Sequence, residues 1–94
     1  MEIKNAIITS TFLGKEDHDI PTCFLTLDYG SAQQTFGGYD LRFYHEGMIQ
    51  RIIETVGVSS WEQLVGKLVR VKSDRAKVYG IGHIIKELWY FPED

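Results

Sequence analysis

Only one cysteine, Cys23, occurs in the 94 residues. No intrachain disulfide is open to it, which suits a reducing compartment. Thr22 and Phe24 place it in an apolar run, where a thiol acts as a small core hydrophobe. A nucleophilic role needs a basic partner, and none stands nearby in sequence. No apolar run approaches the ~20 residues of a membrane span. The apolar stretch behind Met1 is too short for the apolar region of a secretory signal. The expected location is therefore the cytoplasm, with no membrane partner. Basic charge is also scarce. Ten Lys and Arg face 13 Asp and Glu, a net charge of −3, so the chain as a whole does not attract nucleic acid or anionic lipid. Nucleophile elbow, phosphate loop and dinucleotide fingerprint are all missing. His18, His45 and His83 share no metal-ligand spacing. The expectation is a non-enzyme with no cofactor and no metal.

What is present fits one globular domain spanning 1–94: 44% hydrophobic and 24% charged residues, with aromatics at 13%. A domain this small has a thin core, and each buried aromatic adds a large area to it. Charge is unevenly spread. Residues 1–66 carry four basic and nine acidic side chains, whereas 67–77 carry five basic and one acidic. That basic strip is either a local anion site or a solvated hairpin with lysine-protected edges.

β-branched residues at 3–13 predict a first strand, and 22–29 a second that opens behind Pro21. The polar loop 14–19 joins them as a hairpin. Glu16, Asp17, His18 and Asp19 gather three carboxylates and an imidazole there. They lack the glycine placement of a calcium loop, and a solvated hairpin tip accounts for them. Residues 32–36 form a third strand, and Gly37-Gly38 a bend. Residues 39–44 read as either strand or helix. Met48, Ile49, Ile52, Ile53 and Val56 lie on one stripe at helical spacing, so a helix covers about 45–56 and ends at Gly57. Ser60 with Gln63 fits a capping box ahead of a short turn that faces Trp61 and Leu64 inward. Strands follow at 67–73 and 76–86, joined by a turn at Asp74-Arg75. In the last strand the alternation puts Val78, Gly80 and Gly82 on one face and Tyr79, Ile81 and His83 on the other. The fold class is α+β and mostly antiparallel. It is a five-strand sheet or an OB-like barrel, with one main helix between strands 3 and 4.

Three stretches, MEIKNAIITSTFLGKEDH, TCFLTLDYGSAQQTFGGYDLR and the run from SSWEQLVGKLVRVK to KVYGIGHIIKELWYFP, resemble a family of small uncharacterised proteins of bacteriophages and prophages. Residues 60–72 are also similar to phage replication-associated OB-like proteins. The first resemblance brings no activity. It implies a class that includes inhibitors of bacterial defence, such as anti-CRISPR proteins, and nucleotide sponges.

Three functions follow as expectations. The first is a non-catalytic interaction protein that binds a host or phage protein through exposed acidic and aromatic positions, Asp17, Asp19, Tyr39 and Asp40. Trp89, Tyr90 and Phe91 either dock on a partner or close the end of the barrel. The second is an OB-like binder of single-stranded nucleic acid, with Arg42, Arg70, Lys72, Arg75 and Lys77 on phosphates and Tyr29, Phe36, Tyr39, Phe43 and Tyr79 as stacking platforms. The third is a nucleotide sponge in which Gly37-Gly38 amides and Arg42 receive a phosphate. The oligomeric state is left open.

Overall fold

The computed structural model describes residues 1–43 and 47–93. Six strands form one antiparallel sheet: β1 (Glu2–Glu16), β2 (Ile20–Asp28), β3 (Gln33–Gly37), β4 (Leu68–Ser73), β5 (Val78–His83) and β6 (Trp89–Tyr90), in the spatial order β3-β2-β1-β4-β5-β6. Helix α1 (Met48–Val56) lies between β3 and β4. The α+β antiparallel class thus holds, with one strand more than expected. The extra strand is the aromatic tail, in which Tyr90 pairs with Ile81 and Trp89 with Gly82. The sheet is not closed into a barrel; β3 and β6 are its edges.

β1 is the central strand and serves two partners. Its first half pairs with β4 and its second with β2, and the register slips by one residue between Ile8 and Ser10. The extra residue, Thr9, is a bulge that bends the strand. The bend curls the sheet until β3 and β5 come within 8 Å, Cα to Cα. Side chains bridge that seam: Gln34 Nε2 donates to the Asp74 carbonyl at 2.8 Å, and the rings of Phe36 and Tyr90 meet edge to face at 6.3 Å.

Inward-facing alternate residues of β1, β2, β4 and β5 make the core: Ala6 and Ile8, Leu25 and Leu27, Val69 and Val71, Val78 and Ile81. Val78 and Ile81 share a face although three residues apart, which corrects the expected alternation. The β4–β5 register shifts between Lys72 and Ser73, leaving Tyr79 as the odd residue. Met48, Ile52 and Val56 of α1 are buried, and the helix packs on β5 and β6. Gly57 ends it in the left-handed region at φ 90°, its N–H bonded to the Ile53 carbonyl, as a C-terminal glycine should.

Other boundaries move. The first hairpin runs on to Glu16, paired with Ile20, so the tip shrinks to Asp17–Asp19. Residues 38–40 are irregular and 41–43 form a turn, neither strand nor helix. The helix starts at Met48 rather than near 45; Tyr44, His45 and Glu46 lie outside the described residues. The last long strand stops at His83 instead of 86. The Ser60–Gln63 capping box does not form. Gln63 Oε1 accepts instead from the Ser59 amide at 2.9 Å and the Ser59 hydroxyl at 3.0 Å.

Tyr90 is buried, yet its hydroxyl has no hydrogen-bond partner among the described residues. A buried, unsatisfied hydroxyl costs more than it returns. Tyr90→Phe is therefore expected to raise stability by about 1 kcal/mol, read as a higher urea midpoint with an unchanged m-value.

Candidate binding surface on the outer face of the sheet

Strand register fixes which residues share the outer face. Val69 and Val71 are fully buried, so Leu68, Arg70 and Lys72 point outward. Their partners across the β1–β4 ladder are Ile7, Asn5 and Ile3, and directly opposed residues share a face. On the other side Arg70 opposes Gly82 and Lys72 opposes Gly80, and Trp89 pairs with Gly82 in turn.

The two glycines make room for aromatics. A Cβ on Gly82 would sit 2.7 Å from the Trp89 ring, and one on Gly80 2.3 Å from the Phe91 ring. Both rings therefore lie over bare backbone, stacked on each other at 5.7 Å and 12°. Aromatic cover of sheet glycines is a known way of pinning register. The Arg70 guanidinium carbon lies 4.8 Å from the Trp89 centroid, and Lys72 Nζ lies 5.6 Å from Trp89 and 5.4 Å from Phe91. Cation–π contacts of this kind give about 0.5–1 kcal/mol each at exposed sites. Beside them a cavity of about 380 Å³ opens between Met1, Lys72, Tyr79, Phe91 and Glu93.

This corrects the view of Trp89, Tyr90 and Phe91 as one unit. Tyr90 faces the core, whereas Trp89 and Phe91 face out. Sequence reasoning also missed Ile3, Ile7 and Leu68, which are 57%, 45% and 51% exposed. Their signal was present: in β1 isoleucines and alanine fall on both alternation faces, so one face of a central strand had to carry apolar residues outward. His83 is half-buried at the end of β5. Its Nδ1 accepts from the amides of Ile85 and Lys86, both at 3.0 Å, and so shapes the turn that launches β6.

The proposed protein-binding residues gather at a different place. The Leu41 amide bonds the Pro21 carbonyl, and the Thr22 hydroxyl bonds the Tyr39 carbonyl at 2.7 Å. Tyr39 and Asp40 thus lie beside the start of β2, just past the tip that exposes Asp17 and Asp19. Asp40 is paired with Arg42 at 2.7 Å, and that guanidinium holds its carboxyl below the usual range.

Three of the five proposed phosphate contacts are engaged within the chain. Arg42 is held by Asp40. Arg70 donates to the carbonyls of His83 and Lys86 and pairs with Glu87 at 2.8 Å. Lys77 pairs with Glu93 at 2.8 Å. Arg75 sits on the exposed β4–β5 turn. Of the stacking candidates, Phe36 is fully buried. The sponge arrangement is not assembled either, because the Gly38 amide is bonded to the Cys23 carbonyl. Cys23 is buried and burial pushes its thiol up to about 11, an unreactive state. Among the described residues no group of three or more His, Cys, Asp or Glu could hold a metal ion. No helix of the described chain is long and apolar enough to cross a membrane.

No protein-family model, curated protein or solved structure matches the chain.

The glycine–aromatic contact has a direct test. Gly82→Ala is expected to displace Trp89 and cost about 1–3 kcal/mol, the range for overpacking. Tryptophan emission should shift to the red together with the drop in the unfolding midpoint.

Proposed function

We propose that the chain is a non-catalytic binding domain that docks a protein partner on the outer face of its sheet. One observation carries the reading: Ile3, Ile7 and Leu68 stand exposed where a solvated antiparallel sheet carries polar residues. Beside them lie Trp89, Phe91 and Arg70, and tryptophan and arginine dominate interface hot spots. Lys72 at one side of the apolar row favours a partner whose contact surface is apolar and edged by carboxylates. Inhibition of a bacterial defence system is the narrowest form of this reading, and it rests on the phage resemblance.

Co-purification from cells that express the tagged chain, at several salt concentrations, tests it. One stoichiometric protein should be recovered by the native chain and lost with Ile7→Glu or Leu68→Glu. Both substitutions fall on exposed side chains, so the melting curves should stay close to native. Asp17→Ala with Asp19→Ala should retain the partner. Loss with the tip variant but not with the face variants would overturn the location, and recovery of nothing at any salt would overturn the reading.

A second reading has its own support. Three strands, a helical connection and then β4 and β5, followed by the short β6, on a sheet curled until β3 meets β5, support an OB-like reading. OB-like folds bind single strands on aromatics flanked by cations, and Trp89 and Phe91 with Lys72 offer such a platform. On this reading oligonucleotide mobility shifts weaken as salt rises, and Arg70→Ala with Lys72→Ala weakens them further. Absence of any shift at low ionic strength removes it.

A further inference from the structure

The inner face of the curled sheet is covered at one end only. The connection 38–67, which contains α1, joins the end of β3 to the start of β4 and fills that end with Met48, Ile52 and Leu64. At the opposite end, where β1 and β3 begin and β4 finishes, a cavity of about 370 Å³ remains. That volume lies within the range of small-ligand sites.

A chain of hydrogen bonds forms its floor. The buried Ser73 side chain bonds Tyr29. The Tyr29 hydroxyl donates to Gln34 Oε1, and Gln34 Nε2 donates to the Asp74 carbonyl. The Asp74 carboxylate is directed back into its own turn. It accepts from the Tyr79 hydroxyl at 2.6 Å and from the amides of Ala76 and Lys77 at 2.8 and 3.0 Å. Those donors hold it below the usual carboxylate range, the tyrosine foremost. Tyr29, Gln34 and Asp74 are therefore engaged, and Glu2 is the exposed carboxylate of the lining.

What remains for a ligand is cationic. Arg75, at the tip of the β4–β5 turn, lines the cavity and has no partner among the described residues. Lys4 lines it from β1, its Nζ 5.1 Å from the Tyr29 centroid. Glu2 lies 3.7 Å from Lys4, but both side chains are exposed, and such a pair has little worth and is readily exchanged. The lining also holds two carboxylates, but Asp74 is spent on the donors of its own turn and the Glu2 side chain is 71% exposed, so Lys4 and Arg75 are the groups left to meet an anion. A phosphate monoester carries about −1.5 to −2 at neutral pH. Arginine supplies a fork of donors for phosphate oxygens and lysine a point charge.

We infer that this end cavity binds a small phosphate-bearing anion between Lys4 and Arg75. The site is separate from the outer face and does not depend on the docking reading. The cavity exceeds a bare phosphate, so the ester group of a monoester would extend along Gln33 and Ala32.

Calorimetric titration at fixed ionic strength, with inorganic phosphate in one arm and adenosine monophosphate in the other, tests the inference. One saturable site is expected. Lys4→Ala and Arg75→Ala should each weaken it roughly tenfold or more, as loss of a charge-assisted contact does. Lys86→Ala, on an exposed turn at the far end, should leave it unchanged. Tighter binding of the nucleotide would assign the ester group to the cavity, whereas equal binding would assign free phosphate. Absence of heat in both arms overturns the inference, and so does binding that survives in the folded Lys4→Ala, Arg75→Ala double variant.

Discussion

One extra residue in the longest strand shapes the whole sheet. With Thr9 inserted, β1 bends and hands its ladder from β4 to β2. A straight strand would leave those partners in a flat sheet with one face of the core uncovered. The bend instead rolls β3 toward β5, and the buried residues of both halves then face each other. The seam is held by side chains rather than by a ladder: an amide at one end, an edge-to-face aromatic pair in the middle, and the Tyr39–Glu93 contact of 3.3 Å beyond it. Side-chain contacts of this kind close a gap that backbone hydrogen bonds do not span.

That geometry separates the molecule into surfaces with different chemistry. The inner face is apolar under α1 and turns polar at its uncovered end, where Ser73, Tyr29 and Gln34 exchange hydrogen bonds. The outer face is apolar along β1 and β4 and aromatic along β6. The glycines of β5 are what allow the second feature. Any side chain at 80 or 82 would occupy the space of Phe91 or Trp89.

Electrostatics follow the same division. The basic strip at 67–77 looks like one patch in sequence, but folding distributes it. Arg70 and Lys72 lie over aromatic rings, Lys77 is drawn to Glu93, and Arg75 stands at the mouth of the end cavity. A polyanion would meet these charges singly and against a net-negative body. A protein surface, or a ligand the size of one phosphate group, makes smaller demands on their spacing.

Much of the fold was legible in the chain. The β-branched run of β1, the helical stripe from Met48 to Val56 and the stop at Gly57 are local patterns, and local patterns depend only on periodicity and backbone preference. The burial of Cys23, Trp61 and Leu64 was legible for the same reason. The bulges were not, because an inserted residue is defined only against a partner strand. Without them the facing of Val78 could not be assigned, nor could the curl be known. The tail was equally ambiguous: two residues make a strand only when an edge such as β5 is there to pair with. The candidate sites belong to this second class. Lys4 and Arg75 are 71 positions apart in the chain, and Ile7 meets Leu68 only across a ladder. Sequence determined which segments are extended, which is helical and which residues are apolar. Tertiary structure alone decided which charges keep a partner and which apolar residues stay in water, because both depend on distances between segments that the chain order does not contain.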